Sequence, residues 1–134
     1  MVALEVLWLP QELAPSSLAD SRVVVIDVIR ATTSMTTALA AGGQRVIPTG
    51  SVAAARAIAD RIGGSLLCGE RNGLPPEGFD FGNSPREFIP ELVAGESLIF
   101  TTTNGTAAIE VVTDARELRI ACFRNVGAVG RVLS

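Results

Sequence analysis

Apolar and polar positions alternate along this chain in two rhythms, one fitting strands and one fitting helices, with glycine or proline at most of the switches. Residues 2–9 and 22–28 carry strand patterns, and the second holds the unbroken run Val23-Val24-Val25-Ile26, as expected of a strand buried on both faces. Residues 31–41 predict a helix stopped by Gly42-Gly43, and residues 44–48 a short strand. Ser51 is placed to cap an Ala-rich helix over 52–62 that ends at Gly63-Gly64. A strand over 65–68 follows. Ser84-Pro85-Arg86-Glu87 has the residue types of a helix start, predicting a helix to about Val93 that Pro90 kinks or shortens. Residues 97–101 read as a buried strand, 104–112 as a helix, 118–123 as a strand and 126–133 as a final helix. This alternation predicts one α/β domain over 1–134, a three-layer α/β/α arrangement around a mostly parallel sheet.

In open parallel sheets, ligands bind beyond the carboxyl ends of the strands. Two polar runs fall at such ends, Gly69-Glu70-Arg71-Asn72-Gly73 and Thr101-Thr102-Thr103-Asn104-Gly105-Thr106, and a third, Gly78 to Pro85, lies between them in the chain. Asp27 and Arg30 close the second predicted strand, so the topology predicts convergence on one sheet edge. A carboxylate at a strand end can hold a metal or attack phosphorus, and the helix start after it favours an anion. The alternative is that Asp27 simply pairs with Arg30. Glu70 and Arg71 can grip an oxyanion or form a surface ion pair. The threonine run can cradle phosphate or sulfonate oxygens with its backbone N–H groups, or be an Asn-Gly turn with a Thr cap. Asn83 is either a ligand contact or part of the cap ahead of Ser84.

Composition narrows the chemistry. The chain has 134 residues, a net charge of -3 and no histidine. All 11 of its cationic side chains are arginines. That removes lysine-based phosphate loops, Schiff bases and the commonest general base, and points any metal chemistry to oxygen ligands and a hard ion such as magnesium. The acidic balance argues against nucleic acid. No apolar run approaches the ~20 residues of a membrane span. The amino end lacks the pattern of a secretory leader, so a cytoplasmic protein is expected. Cys68 and Cys122 lie in apolar runs and read as buried reduced thiols.

In order and spacing, Asp27-Val28-Ile29-Arg30-Ala31-Thr32-Thr33, the two loops that follow, the threonine run and Phe123-Arg124-Asn125-Val126 resemble the 2-phosphosulfolactate phosphatase family of coenzyme M biosynthesis. The resemblance implies a magnesium-dependent phosphatase converting 2-phospho-3-sulfolactate to sulfolactate. Asp27, Arg30 and Glu70 are then the catalytic candidates. Asp27, Glu70 and Asp80 are candidates for Mg²⁺. Arg71, Asn72, Asn83, Thr102, Thr103, Asn104, Gly105 and Thr106 are candidates for the anionic groups of a small phosphoester. Family members continue through a further strand and an acidic loop, so the chain is expected to be C-terminally truncated and to associate as a homodimer through an uncovered apolar edge. Two other functions stay open: a non-catalytic anion-binding domain, and a haloacid-dehalogenase-type phosphatase with Asp27 as nucleophile. The latter needs an acid at position 29, where this chain has Ile29.

Overall fold

The structure, a computed structural model, describes residues 3–13 and 18–133. Its elements are β1 (Arg22–Ile26), α1 (Ala31–Ala40), β2 (Arg45–Pro48), α2 (Val52–Ile62), β3 (Ser65–Gly69), α3 (Pro90–Val93), β4 (Ser97–Thr101), α4 (Gly105–Glu110), β5 (Glu117–Ala121) and α5 (Val126–Leu133). The α/β class and the parallel pairing are as expected. Among the described residues the strands form two parallel groups, β1 with β5 and β4 between β2 and β3. Helix α1 packs on both β5 and β2, and α4 on both β1 and β2, so the helices join the two groups.

The fully buried strand is β4, not β1. Every residue of β4 is inside because it has a strand on either side and Phe100 and Leu98 in the core. β1 pairs on one side only, among the described residues, and leaves Ile26 66% exposed. Continuous β-branching gives strand propensity on an edge as well as in a sheet centre, and sequence alone does not separate them.

Two further expectations are corrected. Residues 3–9 form no strand; the Trp8 and Leu9 N–H groups donate to the Glu12 carboxylate at 2.7 and 3.2 Å, and a 3₁₀ turn follows over Pro10–Glu12. Residue 2 lies outside the described residues. The single helix expected over 85–93 is instead a 3₁₀ turn, Pro85–Glu87, and the short α3. Pro90 has no N–H to continue the turn and forces Ile89 into an extended conformation (φ -111°, ψ 152°). By contrast, α2 is as expected: Ser51 Oγ accepts from Ala54 N–H at 3.0 Å, and Gly63 at φ 60° donates to Ala59 O. Both cysteines are buried and free.

The segment after β3 is fixed to the scaffold. Phe88 packs between Phe81 and Phe100, with ring centroids 5.7 and 5.3 Å away. Asp80 N–H and Phe81 N–H both donate to Leu67 O, and Gly69 N–H donates to the carbonyls of Phe81 and Gly82. The loop is thus held along the free edge of β3, which delivers Asn83 to the end of the strands.

Candidate functional site

A cavity of about 290 Å³ opens beyond the ends of β1, β3 and β4. It is lined by Asp27, Ile29 and Arg30 after β1, by Glu70, Asn72 and Gly73 after β3, by Asn83, and by Thr102, Thr103 and Asn104 after β4. The convergence expected from topology is what the structure has.

Asp27 is set by the turn into α1. Its N–H donates to Thr32 Oγ1 at 3.0 Å, and its carbonyl accepts from Thr32 N–H at 3.1 Å. The Thr32 hydroxyl lies 2.8 Å from both Asp27 O and Ala121 O, which ties the ends of β1 and β5 together. Burial raises the Asp27 carboxyl above its ordinary value; the Ala31 N–H pulls it back, nearby Glu70 lifts it further and Arg30 lowers it. No ion pair joins Asp27 to Arg30 among the described residues. The backbone of α4 comes very close: a Cβ on Gly105 would lie 2.7 Å from Asp27 Oδ2 and 2.3 Å from Ala31 Cβ.

Glu70 is 9% exposed and acts as a brace. Its carboxylate accepts from Thr103 N–H at 2.7 Å, from Gly73 N–H at 2.8 Å and from Thr103 Oγ1 at 3.2 Å. Burial on its own would raise the Glu70 carboxyl, but these donors and the charge of Arg71 outweigh it and hold the group below its ordinary value. One cavity therefore contains two carboxyls whose surroundings push them in opposite directions, a common arrangement where acids take different roles.

Several sequence-level candidates lie elsewhere. Arg71 is not on the cavity wall: its guanidinium donates to Glu70 O and Thr101 Oγ1, both at 2.7 Å, and to Gly50 O at 3.3 Å. Asp80 is likewise turned away, accepting from Leu67 N–H at 2.8 Å, and no three acidic or thiol groups cluster as a ligand set among the described residues. Of the three metal candidates, the structure brings only Asp27 and Glu70 to the cavity wall, and Asp80 is not among its lining residues. Thr106 is buried beneath the loop, where its N–H donates to Thr102 Oγ1 and its hydroxyl bonds both Thr102 N–H and Thr102 O. Gly105 contributes closeness of packing, not a lining group.

Other residues emerge only in three dimensions. Ser34 on α1 donates to Asn83 O at 2.9 Å, and Glu87 accepts from Gly82 N–H at 2.7 Å and Ser84 N–H at 3.1 Å. Glu87 was legible as a cap residue; Ser34, inside a helix, carried no signal. Ile29 lines the rim at 86% exposure. No described helix is long and apolar enough to cross a membrane.

Residues 7–134 match the family described as 2-phosphosulpholactate phosphatase. The chain is 47% identical over 119 residues to a probable 2-phosphosulfolactate phosphatase of Caldanaerobacter subterraneus subsp. tengcongensis, an alignment covering 87% of this chain and 49% of the relative. Proteins with the same description from Carboxydothermus hydrogenoformans and Deinococcus radiodurans are 40% and 42% identical, over 97% and 90% of this chain and 53% and 50% of theirs. The chain spans about half the length of these relatives.

Proposed function

The chain belongs to the 2-phosphosulfolactate phosphatase family, and on that premise we propose that the cavity beyond β1, β3 and β4 is a phosphoester site that takes 2-phospho-3-sulfolactate, or a related small acidic phosphoester, to sulfolactate and phosphate. The observation that carries the proposal is the meeting of Asp27, Arg30, Glu70, Asn83, Thr103 and Asn104, drawn from four separate segments, in one polar cavity of suitable size. The product is an intermediate of coenzyme M biosynthesis, and a cytoplasmic homodimer remains the expected form.

Charge balance supports a divalent ion. Arg30 is the one cation on the described cavity wall, beside two carboxylates, whereas the substrate brings a phosphate, a sulfonate and a carboxylate. The wall cannot neutralise such a ligand. Its donors are oxygens, the set that suits Mg²⁺. Asp27 and Glu70 would hold the ion, Glu70 through what its three hydrogen bonds leave free of about four acceptor positions. When bound, the ion supplies positive charge against the phosphoryl oxygens.

The side chains divide the remaining work. Arg30, at the start of α1, faces the phosphoryl group with a fork of N–H donors. Asn72 and Asn104, on the adjacent loops after β3 and β4, offer amide donors to the sulfonate and carboxylate. Glu70 keeps the loops that carry Gly73 and Thr103 in register. Nucleophilic attack by Asp27 in the haloacid-dehalogenase manner is disfavoured, since Ile29 has no proton to transfer to the leaving group.

The test is phosphate release from 2-phospho-3-sulfolactate by this chain, with Mg²⁺ and after exhaustive chelation. Release that depends on the ion is expected. Undiminished turnover after chelation removes the metal from the proposal. Anion binding without turnover favours the second reading, an anion-binding domain.

A further inference from the structure

Helix α5 carries apolar residues at helical spacing, yet none of its residues is buried: Val126 is 59% exposed and Val132 47%. A groove of about 320 Å³ runs between this helix and β5, lined by Leu118, Ile120, Ala128, Val129 and Val132, with Arg119 and Asn125 at its polar positions. Among the described residues β5 has a strand on one side only, β1. A free strand edge beside an uncovered apolar helix is a template for another strand.

Backbone polarity along β5 defines what that edge offers. The Glu117 N–H donates to Ser21 O, so the N–H and C=O groups of residues 117, 119 and 121 turn toward β1 and those of 118 and 120 turn away. The outer edge is closed at its carboxyl end. Asn125 Oδ1 accepts from Cys122 N–H at 2.8 Å, and Asn125 Nδ2 donates to Ile120 O at 3.0 Å, the two bonds that a neighbouring strand would make. Leu118 N–H, Leu118 C=O and Ile120 N–H are left with no strand beside them among the described residues. Charge alternates about this opening. Glu117 and Arg119 pair with each other on one face of β5, and Arg22 Nε of β1 lies 3.2 Å from the Glu117 carboxylate.

A strand with opposite charges one residue to either side of a central leucine is complementary to itself when run antiparallel. We propose that the free edge of β5 pairs with the β5 edge of a second copy of this chain, about a two-fold axis at Leu118. The two Leu118 residues then exchange both N–H···O bonds, and each Glu117 falls opposite Arg119 of the second copy, in a non-hydrogen-bonded pair where side chains are closest. Such an axis stands perpendicular to the sheet, so the two α5 helices lie on the same face and flank it, covering apolar surface that a single chain leaves in water. Apolar burial drives the association and the ion pairs fix its register, since exposed pairs contribute little affinity. The contact gives the expected homodimer its interface, and it holds whether or not the cavity takes a phosphoester.

Glu117→Arg and Arg119→Glu test this by sedimentation over a concentration series. Wild-type chain is expected to show a reversible monomer–dimer equilibrium. Each variant alone sets like charges opposite one another at both symmetric pairs, and its dissociation constant rises roughly tenfold or more. Mixed in equal amounts, the two variants form a heterodimer within about threefold of wild-type affinity, because each arginine then faces a glutamate across the interface while the pairs within each chain stay repulsive. Hydrogen exchange on the wild-type chain checks the same contact without a substitution: the Leu118 and Ile120 amides slow as concentration rises, while the Arg119 amide, turned to β1, is slow throughout. Wild-type chain that stays monomeric overturns the proposal and leaves the edge to a different partner. A dimer that either variant leaves intact overturns it, as does a mixture that fails to pair. Should the variants not fold, exchange at Leu118 and Ile120 that ignores concentration overturns it on its own.

Discussion

Glu70→Gln separates bracing from chemistry at the cavity. The carboxylate accepts three hydrogen bonds, two of them from the backbone N–H groups of Thr103 and Gly73 at 2.7 and 2.8 Å, one on each oxygen. A carboxamide keeps the shape but presents one oxygen and one NH₂, so whichever way it turns, a backbone N–H faces another donor. Hydrogen bonds to a charged partner are worth about 1.5–3 kcal/mol, and an orphaned donor costs about 1–3 kcal/mol; these overlap, giving a destabilisation of about 2–4 kcal/mol. For a chain of this length that is a fall of roughly 7–14 °C in melting temperature. Native-state hydrogen exchange should show the loss locally, as faster exchange of the Gly73 and Thr103 amides. Acid dependence gives a second check. Glu70 is held below its ordinary value of 4.5, so its contribution is fully present above that value and is lost as pH falls through the lower folded value. In the variant this part of the acid limb of urea stability should disappear. A Glu70→Gln protein that melts and exchanges like wild type but releases no phosphate would refute the bracing role and leave Glu70 as a ligand alone.

Asp27→Asn should abolish phosphate release while leaving stability at neutral pH equal or higher, because burial first, then the Glu70 charge, makes the ionised form unfavourable in the folded state. The sign is opposite to that of Glu70: with its folded pKa raised, protonation of Asp27 helps folding and that help is lost as pH rises, so any gain from the amide vanishes below 3.8, where the acid is neutral in both states; a clear loss of stability at neutral pH counts against this. Arg71→Lys should lower the unfolding free energy measured in urea by up to the ~1.5–3 kcal/mol of its charge-assisted bonds to Glu70 O and Thr101 Oγ1, and leave KM unchanged; a raised KM at unchanged stability would return Arg71 to the substrate. Gly105→Ala should lose both activity and stability, since the new methyl meets Asp27 Oδ2 and Ala31 Cβ inside contact distance, and an active variant with a wild-type melt would show that the two backbones are not so close.

Much of the scaffold was legible because it is encoded locally. Ser51 and Gly63 bound α2 by their own capping chemistry, β4 follows from an unbroken apolar run, and the placement of loops at strand ends follows from parallel topology. The convergence of Asp27, Arg30, Glu70, Asn72 and the start of the threonine run was readable for the same reason, whereas Asn83 follows no strand and reaches the cavity only through the loop held along β3. The direction in which each polar side chain faces was not. Arg71 and Asp80 have the residue types of an anion and metal site, yet they are turned to Thr101, Glu70 O and Leu67 N–H, because the ends and edges of β3 and β4 leave backbone groups that require partners. The strand-like pattern of residues 3–9 was overruled similarly, by Glu12 capturing the Trp8 and Leu9 N–H groups. Sequence determined the inventory of donors, acceptors and charges and the strand ends at which they gather. Tertiary structure alone decided which of them the backbone takes, as with Arg71 and Asp80, and which line the cavity, as with Arg30 and Asn104, since that depends on hydrogen bonds between segments far apart in the chain.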